Sequence, residues 1–198
     1  MGKILEIDLT TKSIKDIPID ENIARKYLGG KGYAVKILYD DLKAWEAKGK
    51  DPKDIDPFGP ENTLIIATGP ATGTAFPSGG RYHVMTLRSP LTGSVGSANS
   101  GGEFGAYLKF AGYDMIIIRG KSEEPVYISI IDGHVEIHDA KDLWGKNVFD
   151  TDVMLKKKHG FKEKDASVLC IGPAGENLVY IAAIMNDQHR AAGRTGVG

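Results

Sequence analysis

The glycines of this chain are gathered into clusters, and that clustering limits the folds open to it more than any other feature. Of the 25 glycines, nine fall within the 37 positions from Gly69 to Gly105, and five lie between Gly172 and Gly198. Glycine makes up about 13% of the 198 residues, against a usual share of about 7%. Because glycine adopts backbone conformations that other residues avoid, these stretches should form tight turns near a ligand or a neighbouring strand.

Both glycine-rich stretches are poor in charge but contain large apolar side chains. Four charged residues fall among positions 64–113, and four among positions 168–198. Disordered linkers are rich in polar residues and lack bulky apolar ones. Here Phe76, Tyr82 and Phe104 are interleaved with the glycines. We therefore expect the first stretch to be folded.

Composition excludes several classes of protein. The net charge of −1 provides no basic field for nucleic acid. No apolar stretch reaches the roughly 18 residues of a membrane span, and the apolar run within residues 1–9 is too short for a secretion signal. The single cysteine, Cys170, excludes a disulfide framework and an iron–sulfur cluster ligated wholly by this chain. We expect a cytoplasmic protein with no nucleic-acid or membrane partner.

The periodicity of apolar residues predicts an α+β fold, rich in strands with a few short helices. The predicted strands cover residues 3–9, 13–19, 63–68, 81–87, 115–119, 126–131, 134–138, 167–171 and 178–185. Helices are predicted to run from a cap at Asp20 to about Leu28, then over 33–45, 103–111 and 147–159, with glycines at 29–32 breaking the first from the second. We expect residues 1–198 to form a single domain.

One segment of the chain echoes another. Residues 64–71 and 167–174 are each an apolar run that leads into Gly-Pro-Ala, and a glycine-flanked arginine follows each, at Arg81 and Arg194. Gly-Pro turns after strands are common, so chance is one interpretation. The other is an internal duplication, which predicts related sites about a pseudo-twofold axis and a ligand with two similar halves.

Three loops carry the residue types that bind anions, namely Gly79–Arg81, Asn99–Gly102 and Arg190–Arg194. Glycine lets backbone N–H groups approach anionic oxygens, and arginine binds phosphate through two parallel hydrogen bonds. The loops therefore point to a polyanionic ligand. The alternative is a set of tight turns with arginines at the surface. No Walker A or dinucleotide-binding motif is present, and spacing identifies no catalytic residue.

Seven motifs in order resemble one enzyme family. They are residues 69–73 (GPATG), 79–82 (GGRY), 89–93 (SPLTG), 98–102 (ANSGG), 108–114 (LKFAGYD), 171–177 (IGPAGEN) and 186–194 (NDQHRAAGR). The set resembles the N-terminal domain of the tungsten-containing aldehyde:ferredoxin oxidoreductases, and the resemblance covers essentially the whole chain.

The resemblance implies an activity and its cofactors. Enzymes of that family oxidise aldehydes to carboxylic acids and pass electrons through a 4Fe-4S cluster to ferredoxin. Their first domain forms a two-sheet base for a tungsten bis-pterin cofactor, and a magnesium ion joins the two pterin phosphates. For this chain, tungsten and molybdenum both stay open as the metal. The two-halved cofactor agrees with the polyanionic ligand inferred from the loops.

The resemblance also implies roles for individual residues. Arg81 would lie between a pterin and the iron–sulfur cluster. Asn99 and Ala191 would offer backbone carbonyl oxygens to the magnesium ion. The pterin and phosphate pocket would be lined by Ser100, Gly101, Arg190, Ala192, Gly193 and Arg194.

The chain lacks the cluster-binding cysteines that are part of the family pattern. Family members are much longer, and their cluster cysteines, including a CxxCxxxC group, lie in downstream domains absent from this sequence. Taken alone, the chain resembles one catalytically incomplete part of such an enzyme, with the remaining oxidoreductase domains as partners. It could equally be a separately encoded subunit or the product of a shortened gene. The alternative function is a stand-alone, non-catalytic module that binds pterin or phosphate. An exposed apolar pterin face would favour association into a homo-oligomer.

Overall fold

Strands and short helices alternate through residues 2–198, which are the residues that this computed structural model describes. The strands are β1 (Lys3–Asp8), β2 (Ser13–Pro18), β3 (Leu64–Thr68), β4 (Tyr82–Thr86), β5 (Gly96–Ser100), β6 (Tyr113–Arg119), β7 (Val126–Ile131), β8 (His134–Asp139), β9 (Leu169–Cys170), β10 (Ile184–Asn186) and β11 (Arg190–Ala192). The helices are α1 (Glu21–Tyr27), α2 (Gly30–Glu46), α3 (Phe104–Phe110), α4 (Val148–Lys158) and α5 (Pro173–Glu176), with a 3₁₀ turn at Pro52–Asp54. The predicted α+β class is confirmed.

A six-stranded sheet in the order β2-β1-β6-β3-β4-β5 forms the centre. Strands β1 and β6 are parallel, and all other neighbours in this sheet are antiparallel. Three residues of the inner strands, Leu5, Ile7 and Ile65, are completely buried, as the apolar runs in those strands predict. A three-stranded sheet, β11-β10-β9, and the β7–β8 hairpin form two further sheets.

Two apolar clusters cover the two faces of the six-stranded sheet. On one face, Ala34 and Leu38 of α2 pack against Ile65 and Met85. On the other, Leu108 of α3 packs in a cluster with residues of the three-stranded sheet and the hairpin. Within residues 2–198, no helix is both long and apolar enough to cross a membrane.

Local signals in the sequence set several element ends, among them the helix cap that the sequence predicts at Asp20. The Asp20 side chain caps α1 by accepting hydrogen bonds from the backbone N–H groups of Asn22 (2.8 Å) and Ile23 (3.1 Å). Asn147 caps α4 in the same way, accepting from the N–H of Asp150 at 2.9 Å. The dipeptide at 132–133 joins β7 to β8, with both residues at positive φ.

The sequence suggested that the glycines at positions 29, 30 and 32 would delay the start of α2 until residue 33. The structure shows no such delay. The helix begins at Gly30, and the chain reverses just before it, at Leu28 (φ 67°) and Gly29 (φ 152°). Gly32 is needed for this close turn, because a Cβ there would lie 2.3 Å from the Tyr27 carbonyl oxygen. The glycines therefore permit a tight joint between α1 and α2.

The largest errors of the sequence prediction concern strands β5 and β11 and the residues that precede β10. The predicted strand over 178–185 is wrong: residues 178–183 form turns and irregular structure, and only Ile184–Asn186 is a strand. Strands β5 and β11 were missed because their Gly, Ser and Ala residues have little strand propensity. Pairing with the neighbouring strands β4 and β10 holds these two segments in the strand conformation that their own residues do not favour.

The predicted internal duplication finds a partial counterpart in the topology. Strands β3–β4–β5 and β9–β10–β11 are each an antiparallel meander, and a Gly-Pro-Ala segment comes after the first strand of each, as a turn after β3 and as the start of α5 after β9. The arginines are not equivalent, because Arg81 precedes the second strand of its meander whereas Arg194 follows the third. The duplication itself stays a prediction.

Candidate functional site

Arg81 and Asn99 are joined at the surface where β4 begins. Arg81 immediately precedes β4, and Asn99 lies on β5 opposite His83. The Arg81 guanidinium donates two hydrogen bonds to the Asn99 side-chain oxygen, one of them from Nε at 3.0 Å. Both residues are exposed. The amide therefore holds the guanidinium in one orientation at the surface, which suits it to bind an anion.

The edge strands of two sheets meet beside this pair. Strand β5 forms one edge of the six-stranded sheet, β11 forms an edge of the three-stranded sheet, and the two lie side by side. They belong to separate sheets, but Thr195 links them by accepting hydrogen bonds from the Ser97 N–H (3.0 Å) and from the Ser89 hydroxyl (2.5 Å). Asn99 and Ala191, the two predicted magnesium-binding residues, therefore lie on adjacent edge strands.

The turn between β10 and β11 is fastened to two other loops by the Asp187 carboxylate. It accepts a hydrogen bond from the backbone N–H of Glu103 at 2.6 Å and another from the Ser167 hydroxyl at 2.7 Å. Asp187 itself has a positive φ of 46°, a conformation that costs free energy outside glycine. These contacts bring Arg190, at the start of β11, close to the glycines that precede α3.

Asn186 connects the two sheets from inside. It is 1% exposed, and its amide nitrogen donates to the Tyr82 hydroxyl (2.6 Å), the Ser100 hydroxyl (3.2 Å) and the Arg190 carbonyl (3.4 Å). Burial raises the pKa of the Tyr82 phenol to about 12, so the hydroxyl stays protonated even at a pH where an exposed tyrosine ionises. Sequence reasoning assigned no role to Tyr82 or to the Asn186 side chain, although each belongs to one of the seven motifs it selected.

Gly101 and Gly102 line the space between these elements. A Cβ at Gly101 would lie 3.7 Å from a terminal nitrogen of Arg81. Gly102 has a φ of +90°, and a Cβ there would lie 2.3 Å from Asn186 Oδ1 and 2.4 Å from Asp187 Oδ2. The glycines therefore leave room for polar side chains to approach the backbone, and they keep an open surface beside Arg81.

The remaining predicted residues divide into a surface group and a supporting group. Arg190, Ala191 and Arg194 are exposed, while Gly193 is partly exposed. Ser100 and Ala192 are 2% and 0% exposed, so they support the surface from beneath it. The structure thus brings together Arg81, Asn99, Gly101, Arg190 and Ala191 around the β5–β11 edge.

This surface offers a ligand backbone and amide oxygens together with cationic arginine side chains. Among residues 2–198, no group of three or more His, Cys, Asp or Glu side chains could hold a metal ion. Cys170 lies partly buried on β9, and burial raises the pKa of its thiol to about 12, which keeps it in the protonated form that binds metals poorly. An anion with its own oxygen ligands for a hard cation therefore fits the site better than a bare metal ion.

His83 allows a direct check of the electrostatics beside Arg81. Burial lowers the pKa of its imidazole, and Lys31 and Arg81 lower it further. We expect an NMR titration to give a midpoint below 6.5. Lys31→Gln should raise the midpoint without restoring 6.5, because burial, the largest cause, is unchanged. Lys157→Gln, an exposed change on α4, serves as the control.

The same shift makes stability depend on pH in a defined direction. The folded state binds the His83 proton less tightly than the unfolded state does, so this contribution to the free energy of unfolding is complete above pH 6.5. It falls as the pH drops from 6.5 towards the folded midpoint. A His83 midpoint at or above 6.5 would contradict the assignment.

Comparison with known proteins relates this chain to one group of enzymes. Residues 4–198 match the family model described as the N-terminal domain of aldehyde ferredoxin oxidoreductase. The chain is 52% identical to a tungsten-containing aldehyde ferredoxin oxidoreductase of Pyrococcus furiosus, with 100% of this chain and 31% of that protein covered. It is 53% identical to the corresponding protein of Pyrococcus horikoshii, with 100% and 30% covered.

A solved structure is similar over nearly the whole chain. It is the active-site complex BamBC of benzoyl coenzyme A reductase with 1,5-dienoyl-CoA, which matches with a TM-score of 0.89 and 41% identity. The match covers 99% of this chain and 28% of that chain. The chain thus spans less than a third of the length of the relatives it matches.

Proposed function

We propose that this chain, which belongs to the aldehyde ferredoxin oxidoreductase family and is its N-terminal domain, forms the base on which a tungsten bis-pterin cofactor binds. The observation that carries the proposal is the meeting of Arg81, Gly101 and Arg190 around the β5–β11 edge. These residues come from three separate segments of the chain, and together they offer cations and closely approachable backbone to an anion. Relatives named as tungsten-containing enzymes support the choice of metal.

Each residue of the surface would have a distinct task toward the cofactor. Arg81, oriented by Asn99, would donate hydrogen bonds to one pterin or its phosphate. Backbone carbonyl oxygens of Asn99 and Ala191 would bind a magnesium ion that also takes phosphate oxygens, because magnesium prefers hard oxygen ligands. Gly101, Gly193 and the arginines at 190 and 194 would line the phosphate pocket.

The reaction we propose is the oxidation of an aldehyde to a carboxylic acid by the complete enzyme. When bound, the tungsten centre would supply oxygen-atom transfer and two-electron oxidation. This chain would bind and orient the cofactor, and the electrons would leave through a 4Fe-4S cluster to ferredoxin. Such a cluster is held by about four cysteines, and this chain has one. We therefore assign the cluster ligands to other domains.

An exposed apolar segment supports the presence of those other domains. Leu178, Val179, Tyr180 and Ile181 are 52%, 42%, 57% and 69% exposed. The segment is packed closely at its base, because a Cβ at Gly196 would lie 2.0 Å from the Tyr180 carbonyl oxygen. Contiguous exposed apolar surface marks an interaction site, and we propose that the remaining domains of the full-length enzyme cover it.

Metal and pterin analysis tests the proposed function. The protein would be produced in cells supplied with tungstate, together with its remaining enzyme domains, and purified without oxygen. We expect bound tungsten and, after denaturation, pterin fluorescence. Arg81→Lys, which keeps the charge but loses the planar fork, should bind the cofactor about tenfold more weakly. Arg25→Lys, an exposed change on α1, should retain it fully. Wild-type protein with neither tungsten nor pterin would overturn the proposal.

A further inference from the structure

A buried ion pair lies on α4, a helix that contributes no residue to the surface proposed to contact the cofactor. The Asp152 carboxylate is 2% exposed and lies 3.1 Å from the ammonium group of Lys156, which is 9% exposed and one helical turn further on. The same carboxylate oxygen accepts a hydrogen bond from the side-chain amide of Gln188 at 2.9 Å. Gln188 belongs to the β10–β11 turn, so the pair is connected to the loop that presents Arg190.

The turn needs such a support because its backbone is in a disfavoured conformation. Asp187 and Gln188 are consecutive and have φ values of 46° and 61°. Residues with a Cβ adopt this region rarely, and they persist there only where surrounding contacts determine the conformation. The side chain of Asp187 is held by Ser167 and Glu103, and that of Gln188 is held by Asp152.

Helix α4 makes a second contact with the same turn. The ring of Phe149 lies edge-on to the ring of His189, with centroids 5.2 Å apart. Two residues of one helix face, Phe149 and Asp152, therefore hold two consecutive residues of the turn. The next residues along the chain are Arg190 and Ala191, so a shift of the turn would move both of them.

A buried ion pair is a poor source of stability, because removing two charges from water costs about as much as their attraction returns. Well-packed apolar residues can take the place of such a pair at little cost in stability. An apolar pair would, however, offer no hydrogen-bond acceptor to the Gln188 side-chain amide. The ion pair therefore contributes by orienting the β10–β11 turn and not by stabilising the fold.

We propose that Asp152, held by Lys156, is a positioning residue that fixes the β10–β11 turn through Gln188 and so sets Arg190 and Ala191 for phosphate binding. The inference rests on the proposed function, because it assigns the turn to the same site. Asp152 touches no ligand in this scheme and acts only through Gln188.

The test separates orientation from stability by replacing the whole ion pair. The double variant Asp152→Leu/Lys156→Met keeps an apolar, well-filled interior and is expected to unfold at a temperature close to that of the wild type. It removes the acceptor for Gln188, so its affinity for pyrophosphate, measured by calorimetry on the full 198-residue chain, should fall about tenfold. Lys157→Met, at the neighbouring exposed position, should leave the affinity unchanged.

Substitutions at Gln188 give an independent readout. Gln188→Ala loses the hydrogen bond and keeps a Cβ at positive φ, so it should weaken pyrophosphate binding. Gln188→Gly loses the same bond but adopts this φ without strain, so it should bind more tightly than the alanine variant. The backbone amide resonances of Arg190 and Ala191 should move in the double variant and stay in place in Lys157→Met.

The outcomes distinguish this inference from the proposed function. Pyrophosphate binding that is equal in the wild type, the double variant and Gln188→Ala would overturn the positioning role and leave the phosphate site intact. A wild-type chain that binds no pyrophosphate would count against the phosphate site. In that case unchanged amide resonances of Arg190 and Ala191 in the double variant would refute the positioning role as well, and shifted resonances would support control of the turn by Asp152.

Discussion

Replacing Gly102 with alanine is expected to lower the free energy of unfolding by about 2–5 kcal/mol, because strain and collision add at this position. Gly102 has a φ of +90°, which costs a residue with a Cβ roughly 1–2 kcal/mol. The new methyl group would also lie 2.3 Å from Asn186 Oδ1. Asn186 is buried and hydrogen-bonded, so it cannot move aside cheaply.

Gly112→Ala is a matched control for that variant. Gly112 has nearly the same φ, +92°, but nothing lies within 4 Å of the position its Cβ would take. It should therefore show the strain alone, about 1–2 kcal/mol. Thermal unfolding of both variants measures the difference, which for a chain of this size corresponds to several degrees in Tm. Equal losses in the two variants would show that no collision occurs at Gly102.

Replacing Asn186 with leucine should lower the free energy of unfolding by about 2–4 kcal/mol, because buried polar groups lose their partner. The amide of Asn186 donates to the Tyr82 and Ser100 hydroxyls and to the Arg190 carbonyl. Leucine has the same number of side-chain heavy atoms with the same branching, but it donates nothing. Denaturant unfolding measures the loss, and Asn22→Leu on exposed α1 should stay within about 0.5 kcal/mol of the wild type.

A double-mutant cycle identifies the partner responsible. Tyr82→Phe alone removes the hydroxyl that lies 2.6 Å from the Asn186 amide, and it should cost about 1 kcal/mol. In the Asn186→Leu background that hydroxyl is already unpaired, so the same change should cost close to nothing or stabilise the chain. Additive effects of the two substitutions would contradict the bond between them.

The elements that sequence analysis predicted well are those whose signal is local. The apolar runs of β1, β3 and β6 lie in the sheet as expected. Asp20 and Asn147 cap their helices through bonds to residues two or three positions away. In these cases the deciding contact is close in the chain, so the pattern of neighbouring residues is sufficient.

The errors lie where a distant partner decides the conformation. Strands β5 and β11 carry no apolar alternation, and their backbones are strands because β4 and β10 pair with them. Residues 178–183 have the apolar content of a strand but meet no partner strand within residues 2–198, and four of them are exposed. Apolar content alone cannot distinguish a core strand from a surface suited to another domain.

The sequence by itself determined which residue types were available for a ligand. Clustered glycines with Arg81, Asn99 and Arg190 indicated anion binding, and the ordered motifs indicated the family that the comparisons then showed. Only the tertiary structure decided which of these residues meet. Asn186 reaches Tyr82 across 104 positions of chain, and Asp187 reaches Glu103 across 84. Such contacts depend on the packing of whole sheets, and no local pattern of residues encodes that packing.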